Sequence, residues 1–233
     1  MKTAAYDLQG FTLVEMAIVL LIITLALGGL LTPMARQAER RHMEDTQKQL
    51  EEIRAALLGY AITQKKLPCP DISSPPDGLG DCPVTTSPEA IGALPWRDIG
   101  VGGQDAWNHH YRYAVTSTLT SSIATTTNAS GTLVYPDGSL TVNNGSGVTY
   151  LTNAMAVVIS HGANGLGAPG TTSTASTADE QENTDADAIF RSRETTTAFD
   201  ISQGSGLAEF DDQLSWLPST VLINQMVTAG QLP

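Results

Sequence analysis

Between Phe11 and Ala35 the chain carries one charged residue, Glu15. The run reads FTLVEMAIVLLIITLALGGLLTPMA. About 20 apolar residues, at about 1.5 Å of helix each, reach across a bilayer core. Residues 11–35 are therefore expected to form a membrane helix. A secretory signal has a shorter apolar region, about 7–15 residues, closed by a small-x-small cleavage site. The stretch from Thr32 to Ala38 offers no good site of that kind. Glu15 constrains the run further. An acid at membrane depth costs about 2.5–3.5 kcal/mol on insertion scales, so it marks a partner. The alternative is a carboxylate near the helix end that snorkels to the interface.

The residues around Glu15 narrow the choice. Leu8-Gln9-Gly10 run directly into Phe11-Thr12-Leu13-Val14-Glu15. This segment resembles the type IV pilin and pseudopilin family, whose short polar leader ends in Gly before Phe-Thr-Leu-x-Glu and an apolar stretch. The resemblance implies cleavage between Gly10 and Phe11 by a prepilin peptidase, which also methylates the new amine of Phe11. It implies a leader over 1–10 that the mature protein lacks. It also implies a single-pass subunit in the inner membrane with a periplasmic head. An inner-membrane assembly platform would then pass it into a periplasmic pseudopilus or a cell-surface pilus. In such a filament the Phe11 amine of one copy faces Glu15 of its neighbour. Either charge left alone in a low-dielectric bundle costs several kcal/mol, so the pair would set register rather than add net stability.

The helical pattern continues past the apolar run. Met43, Leu50 and Leu57 recur every seven residues, and Thr46, Ile53 and Tyr60 do so at an offset of three. Glu44, Asp45, Lys48, Glu51, Glu52 and Arg54 lie between them. This spacing predicts an amphipathic helix whose apolar stripe is buried under a globular head. Pro68 ends it, because the residue before a proline is biased out of the helical region. The N-terminal helix is thus expected over 11–66, with 11–35 as membrane segment and filament core.

From 67 to 233 the character changes to Gly, Pro, Ser, Thr and short β-prone runs. Candidate strands are Tyr111–Val115, Thr132–Tyr135, Gly147–Leu151 and Ala154–Ser160. Turns are signalled by Pro136-Asp137-Gly138 and Asn143-Asn144-Gly145. Thr220–Ala229, ended by Gly230, reads as a closing helix. Helix followed by strands predicts an α+β fold in which a long N-terminal helix, membrane half then amphipathic half, packs on an antiparallel β-sheet head, pilin-like. Cys69 and Cys82 flank a Pro/Gly-rich stretch. In an oxidising compartment they would close a loop of about 14 residues worth roughly 3 kcal/mol; in a reducing one they would remain free thiols.

A second resemblance lies in the head. Leu94-Pro95-Trp96, Asp105-Ala106-Trp107-Asn108 and Tyr111-Arg112-Tyr113 resemble the Asp-Pro-Trp-Gly-Asn-x-Tyr-x-Tyr stretch of the major pseudopilins of type II secretion, with Ala106 in place of Pro and no Gly before Asn108. Ser160-His161-Gly162-Ala163-Asn164-Gly165 and Asp185-Ala186-Asp187-Ala188-Ile189 resemble that family's calcium loop, with Asn164 where Asp is usual. The resemblance implies a structural calcium ion held by Asp185 and Asp187, with Glu182 and Asn164 next. Independently, Asp179, Glu180, Glu182, Asn183, Asp185 and Asp187 crowd oxygen-bearing side chains into one short stretch. Calcium takes 6–8 oxygens from a flexible loop. A solvated acidic loop has the same composition.

Composition removes other classes. The net charge is −12. Nucleic-acid binding needs Lys/Arg to displace counterions from phosphates, so none is expected. Gly165-Leu166-Gly167-Ala168-Pro169-Gly170 matches a dinucleotide-binding pattern, yet Pro169 and the Ser/Thr tract behind it supply no helix to complete it. The four histidines lack zinc-protease spacing, and Ser160-His161 are neighbours rather than members of a triad. The expectation is a non-enzymatic structural filament subunit that partners with itself. The alternative is a membrane-anchored calcium-binding adhesion or ligand-binding module that never polymerises.

Overall fold

The computed structural model describes residues 12–82, 87–146, 148–175, 177–196 and 209–233, and the side chains of all of these but 26–35. The expected leader 1–10, and with it the Gly10–Phe11 cleavage point, lies outside the described residues. The chain divides into two compact units, Met1–His42 and Met43–Pro233. Helix α1 is assigned over Leu13–Gln64 and so contributes to both.

In the first unit the helix starts on a reciprocal cap. The Glu15 amide donates to Thr12 Oγ1 at 3.2 Å, and the Thr12 amide donates to Glu15 Oε2 at 3.4 Å. This is the capping box expected of Thr-x-x-Glu, and it satisfies two amides that a helix start leaves open. Beyond it, Leu13 to Leu25 is exposed on every side.

In the second unit α1 buries one line of residues. Thr46, Leu50, Ile53, Leu57 and Ala61 all lie at 2 % exposure or less. Two polar contacts fix its register against the loop before the second strand. The Ala106 amide donates to Thr46 Oγ1, and Tyr111 Oη donates to Gln49 Oε1 at 2.7 Å. The helix ends as Lys65 turns to a φ of 55°, and Leu67 and Ile123 then tie the exit to the segment around Leu119.

The sheet comprises β1 (Glu89–Ala93), β2 (Arg112–Thr116), β5 (Leu140–Asn143), β6 (Thr149–Ser160), β7 (Ile189–Arg191) and β8 (Gln213–Pro218). Its order is β1-β2-β6-β5-β7, with β8 also paired to β6. A separate hairpin joins β3 (Thr126–Thr127) and β4 (Leu133–Val134). Short helices α2 (Trp96–Ile99) and α3 (Ala178–Glu182) interrupt the connections, and α4 (Ser219–Thr228) closes the chain. Alternation along the strands serves two cores. Tyr113, Val115 and Val158 join Leu50, Ile53 and Leu57 of α1 and Leu222 and Met226 of α4. Ala114, Val157 and Ile159 join Leu140, Val142 and Phe190 on the opposite face.

Two parts of the expected architecture are corrected. The sheet is mixed, not antiparallel: β5 and β7 run parallel, with Val142 beside Phe190. The chain reaches β7 from β5 through β6 and α3, and such a crossover returns a strand in the same direction. The membrane half is the second correction. Among the described residues no helix is long and apolar enough to cross a membrane. The apolar side chains described run only from Leu13 to Leu25, about 20 Å of helix against a hydrocarbon core of about 30 Å. An inner-membrane anchor, and the localisation built on it, are therefore not supported.

The remaining elements follow local chemistry. Cys69 and Cys82 are joined in a disulfide. Inside the loop they close, buried Asp71 accepts amides from Ser73, Asp77 and Gly78 at 2.6–2.8 Å. Gly78 stands at φ 84° against the Trp96 indole, where a side chain would have no room. The loop is thus tied at both its ends and its middle.

Candidate metal centre

The centre forms where three connections meet. β6 ends at Ser160, whose hydroxyl donates to Asp105 Oδ2 at 2.6 Å. The chain then turns through Gly162, at φ 54°, where a Cβ would strike the Asp211 side chain. That turn brings in Asn164. Helix α3 begins on Thr177, whose Oγ1 accepts the Glu180 amide, and this start aims Glu180 inward. Asp211 and Asp212 arrive from the segment entering β8.

Glu180, Asp211 and Asp212 each offer a carboxylate oxygen, and the three oxygens lie within 4.8 Å of one another. All three residues are buried, at 0 %, 3 % and 3 % exposure. A second ring of groups holds one side of the cluster. Asn164 donates its side-chain amide to Glu180 Oε1 at 3.1 Å and its backbone amide to Asp211 Oδ2 at 2.8 Å. Asn183 donates to Asp212 Oδ2 at 2.7 Å. His161, fully buried, bonds through Nδ1 to Asp212 Oδ1 at 3.2 Å and acts as donor when that nitrogen carries the proton. Glu180 Oε2 and Asp211 Oδ1 are left buried with no hydrogen-bond partner.

The electrostatics follow from this crowding. Burial pushes the Asp211 carboxyl up to about 7, opposed by the Asn164 amide and reinforced by Asp212 and Glu180. Burial also raises Glu180, against the hydrogen bond from Asn164. Arg112, on β2, is one nearby cation. Its guanidinium donates to the backbone carbonyls of Thr184 and Asp185 at 2.8 and 3.0 Å and feels both Asp185 and Asp212. Burial lowers its pKa, yet an arginine stays charged at neutral pH. A buried acidic cluster of this kind can hold a metal ion.

Of the residues singled out from the sequence, Asn164 lies in the centre. Glu182 is instead paired with Arg191 at 3.1 Å. Asp187 is exposed and accepts the Ile189 amide at 2.7 Å. Asp185 is exposed too, its carboxyl raised by partial burial and by Asp187. Asp211 and Asp212 complete the centre from outside the acidic stretch 179–187. Their only local signal is two adjacent acids between an aromatic residue and an extended segment. Glu15, assigned to assembly, is occupied in the helix cap.

Comparison of this chain with known protein families, with curated proteins and with solved structures finds no match.

Proposed function

We propose that this chain is a structural subunit of a filament of the type IV pilus or type II secretion pseudopilus kind, that it assembles with copies of itself through α1, and that its head carries a calcium ion. The observation that supports assembly is the exposed helix start. Leu13 is 88 % exposed, Val14 68 %, Leu21 60 % and Leu25 70 %, with Met16, Ile18, Val19, Leu20, Ile22 and Ile23 open as well. A helix that is apolar all round is stable in water only when it is covered. Packing the same segment of several copies together covers it on all sides at once.

Calcium is favoured by the donor chemistry of the head. The cluster offers carboxylate oxygens, and both cysteines are tied up in the disulfide. Hard oxygen donors suit calcium rather than zinc or copper. Processing at Gly10–Phe11 by a prepilin peptidase belongs to the same proposal. Its test is co-expression with such a peptidase, followed by mass spectrometry of the product. A chain beginning with methylated Phe11 is expected, and an intact Met1 would count against the proposal.

A further inference from the structure

The geometry assigns the cation to Glu180, Asp211 and Asp212, with Asn164 and Asn183 as positioning residues, and not to Asp185, Asp187 and Glu182. This deepens the calcium reading above and rests on it.

Buried carboxylates are stable only when their oxygens are satisfied. Here the acids are held from outside. Asn164 takes one oxygen of Glu180 and one of Asp211, while Asp212 is held at both, by Asn183 at Oδ2 and by His161 at Oδ1. What remains is the independent observation. Glu180 Oε2 and Asp211 Oδ1 are fully buried and find no partner among the described residues. An arrangement in which outer amides hold one oxygen of a carboxylate and leave the other free is how proteins orient metal ligands.

The three carboxylates crowd together at one buried place, where a divalent ion would offset their mutual repulsion. A cavity of about 380 Å³, lined by Arg54, Arg193, Asp212, Gln213 and Trp216, borders the cluster at Asp212.

The residues implied by the resemblance fit less well. Asp185 and Asp187 are exposed, and the Glu182 carboxylate is committed to Arg191. The Asn164 side-chain oxygen accepts the Leu166 amide at 2.9 Å, and its nitrogen points to Glu180. Asn164 thus acts through the acids rather than on the ion.

The test is calcium binding by the full chain, stripped with EGTA and titrated with CaCl2 by calorimetry, beside the thermal midpoint in each condition. Wild type should bind and gain about 5–10 °C at a free calcium near 100 times Kd. The double variant Asp185→Asn/Asp187→Asn should bind like wild type. Asp211→Asn and Glu180→Gln should each lose binding by more than about 100-fold, and Asn183→Ala by about 10–100-fold. The isosteric amides remove a buried charge, so both variants should melt no lower than wild type in EGTA. That comparison separates lost binding from lost folding. Binding that survives Asp211→Asn but disappears in the double variant overturns the assignment alone. Absence of binding by wild type overturns the calcium reading with it.

Discussion

Glu15 shows how much rests on single atoms. Its carboxylate already serves the cap on Thr12, so a loss of assembly in Glu15→Leu would confound a broken helix start with a broken charge pair. Glu15→Gln separates them, because Gln completes a capping box as well as Glu does but carries no charge. Under the filament proposal Glu15→Gln keeps the helical content of wild type by circular dichroism and still assembles poorly. Normal filaments from it would reduce Glu15 to a cap. Asp211 gives a second prediction at this scale. Its carboxyl stands at about 7 in the folded chain, against about 3.9 when unfolded. Between those values the folded state binds the extra proton, so metal-free protein loses stability as pH rises from about 4 to about 7. Urea midpoints in EGTA should therefore fall across that window, and fall less in Asp211→Asn. Legibility at this scale was uneven. The Cys69–Cys82 bridge was readable because the two residues sit near each other in sequence. The motif around Asn164 implies a metal ligand, whereas its side chain donates to Glu180 and its oxygen accepts the Leu166 amide. Asp211 and Asp212 were not readable, because their partners Asn164 and Asn183 lie 47 and 29 residues away.

The elements were legible where a period had room to show. The amphipathic half of α1 was visible in two heptad stripes, and Thr46, Leu50, Ile53 and Leu57 are indeed buried. The stripe drifts at its end, where Ala61 is fully buried and Tyr60 only partly. A straight helix repeats every 3.6 residues, so a strict seven-residue stripe slides off the buried face after a few turns. Leu57→Ala should cost about 2–5 kcal/mol, read from a denaturant titration, because Leu57 is 1 % exposed among α1, α4 and the sheet. Replacing both Cys69 and Cys82 by Ser should cost about 3 kcal/mol or less, since Asp71 still pins the loop. Strands Tyr111–Val115 and Ala154–Ser160 were found from their β-branched and aromatic residues. Gly147–Leu151 and Ala154–Ser160 were separated by the polar pair Thr152-Asn153, but Thr149–Ser160 is one strand with a register shift between Ala154 and Ala156. Leu140–Asn143 and Ile189–Arg191 are too short to carry an alternation, and their parallel pairing depends on the crossover between them.

At the scale of the molecule, the two compact units have opposite surface chemistry. The first offers an open apolar helix, and the second a packed head with two cores. Under the filament proposal, removal of residues 1–10 would take away Lys2 and Asp7, one charge of each sign, and leave the net at −12. Crowding such heads along a filament opposes assembly through their mutual repulsion, and salt screens it within about 8–10 Å at physiological strength. Assembly measured by light scattering should therefore increase as NaCl rises from about 10 to about 150 mM. The claim on which the functional reading turns is that the apolar start of α1 is covered by the same segment of other copies. Analytical ultracentrifugation of the processed chain, with electron microscopy of the pelleted fraction, measures this directly. Filaments of uniform width are expected, absent when Ile18 and Leu21 are both replaced by Asp. A wild-type chain that sediments as a monomer at every concentration would contradict the account.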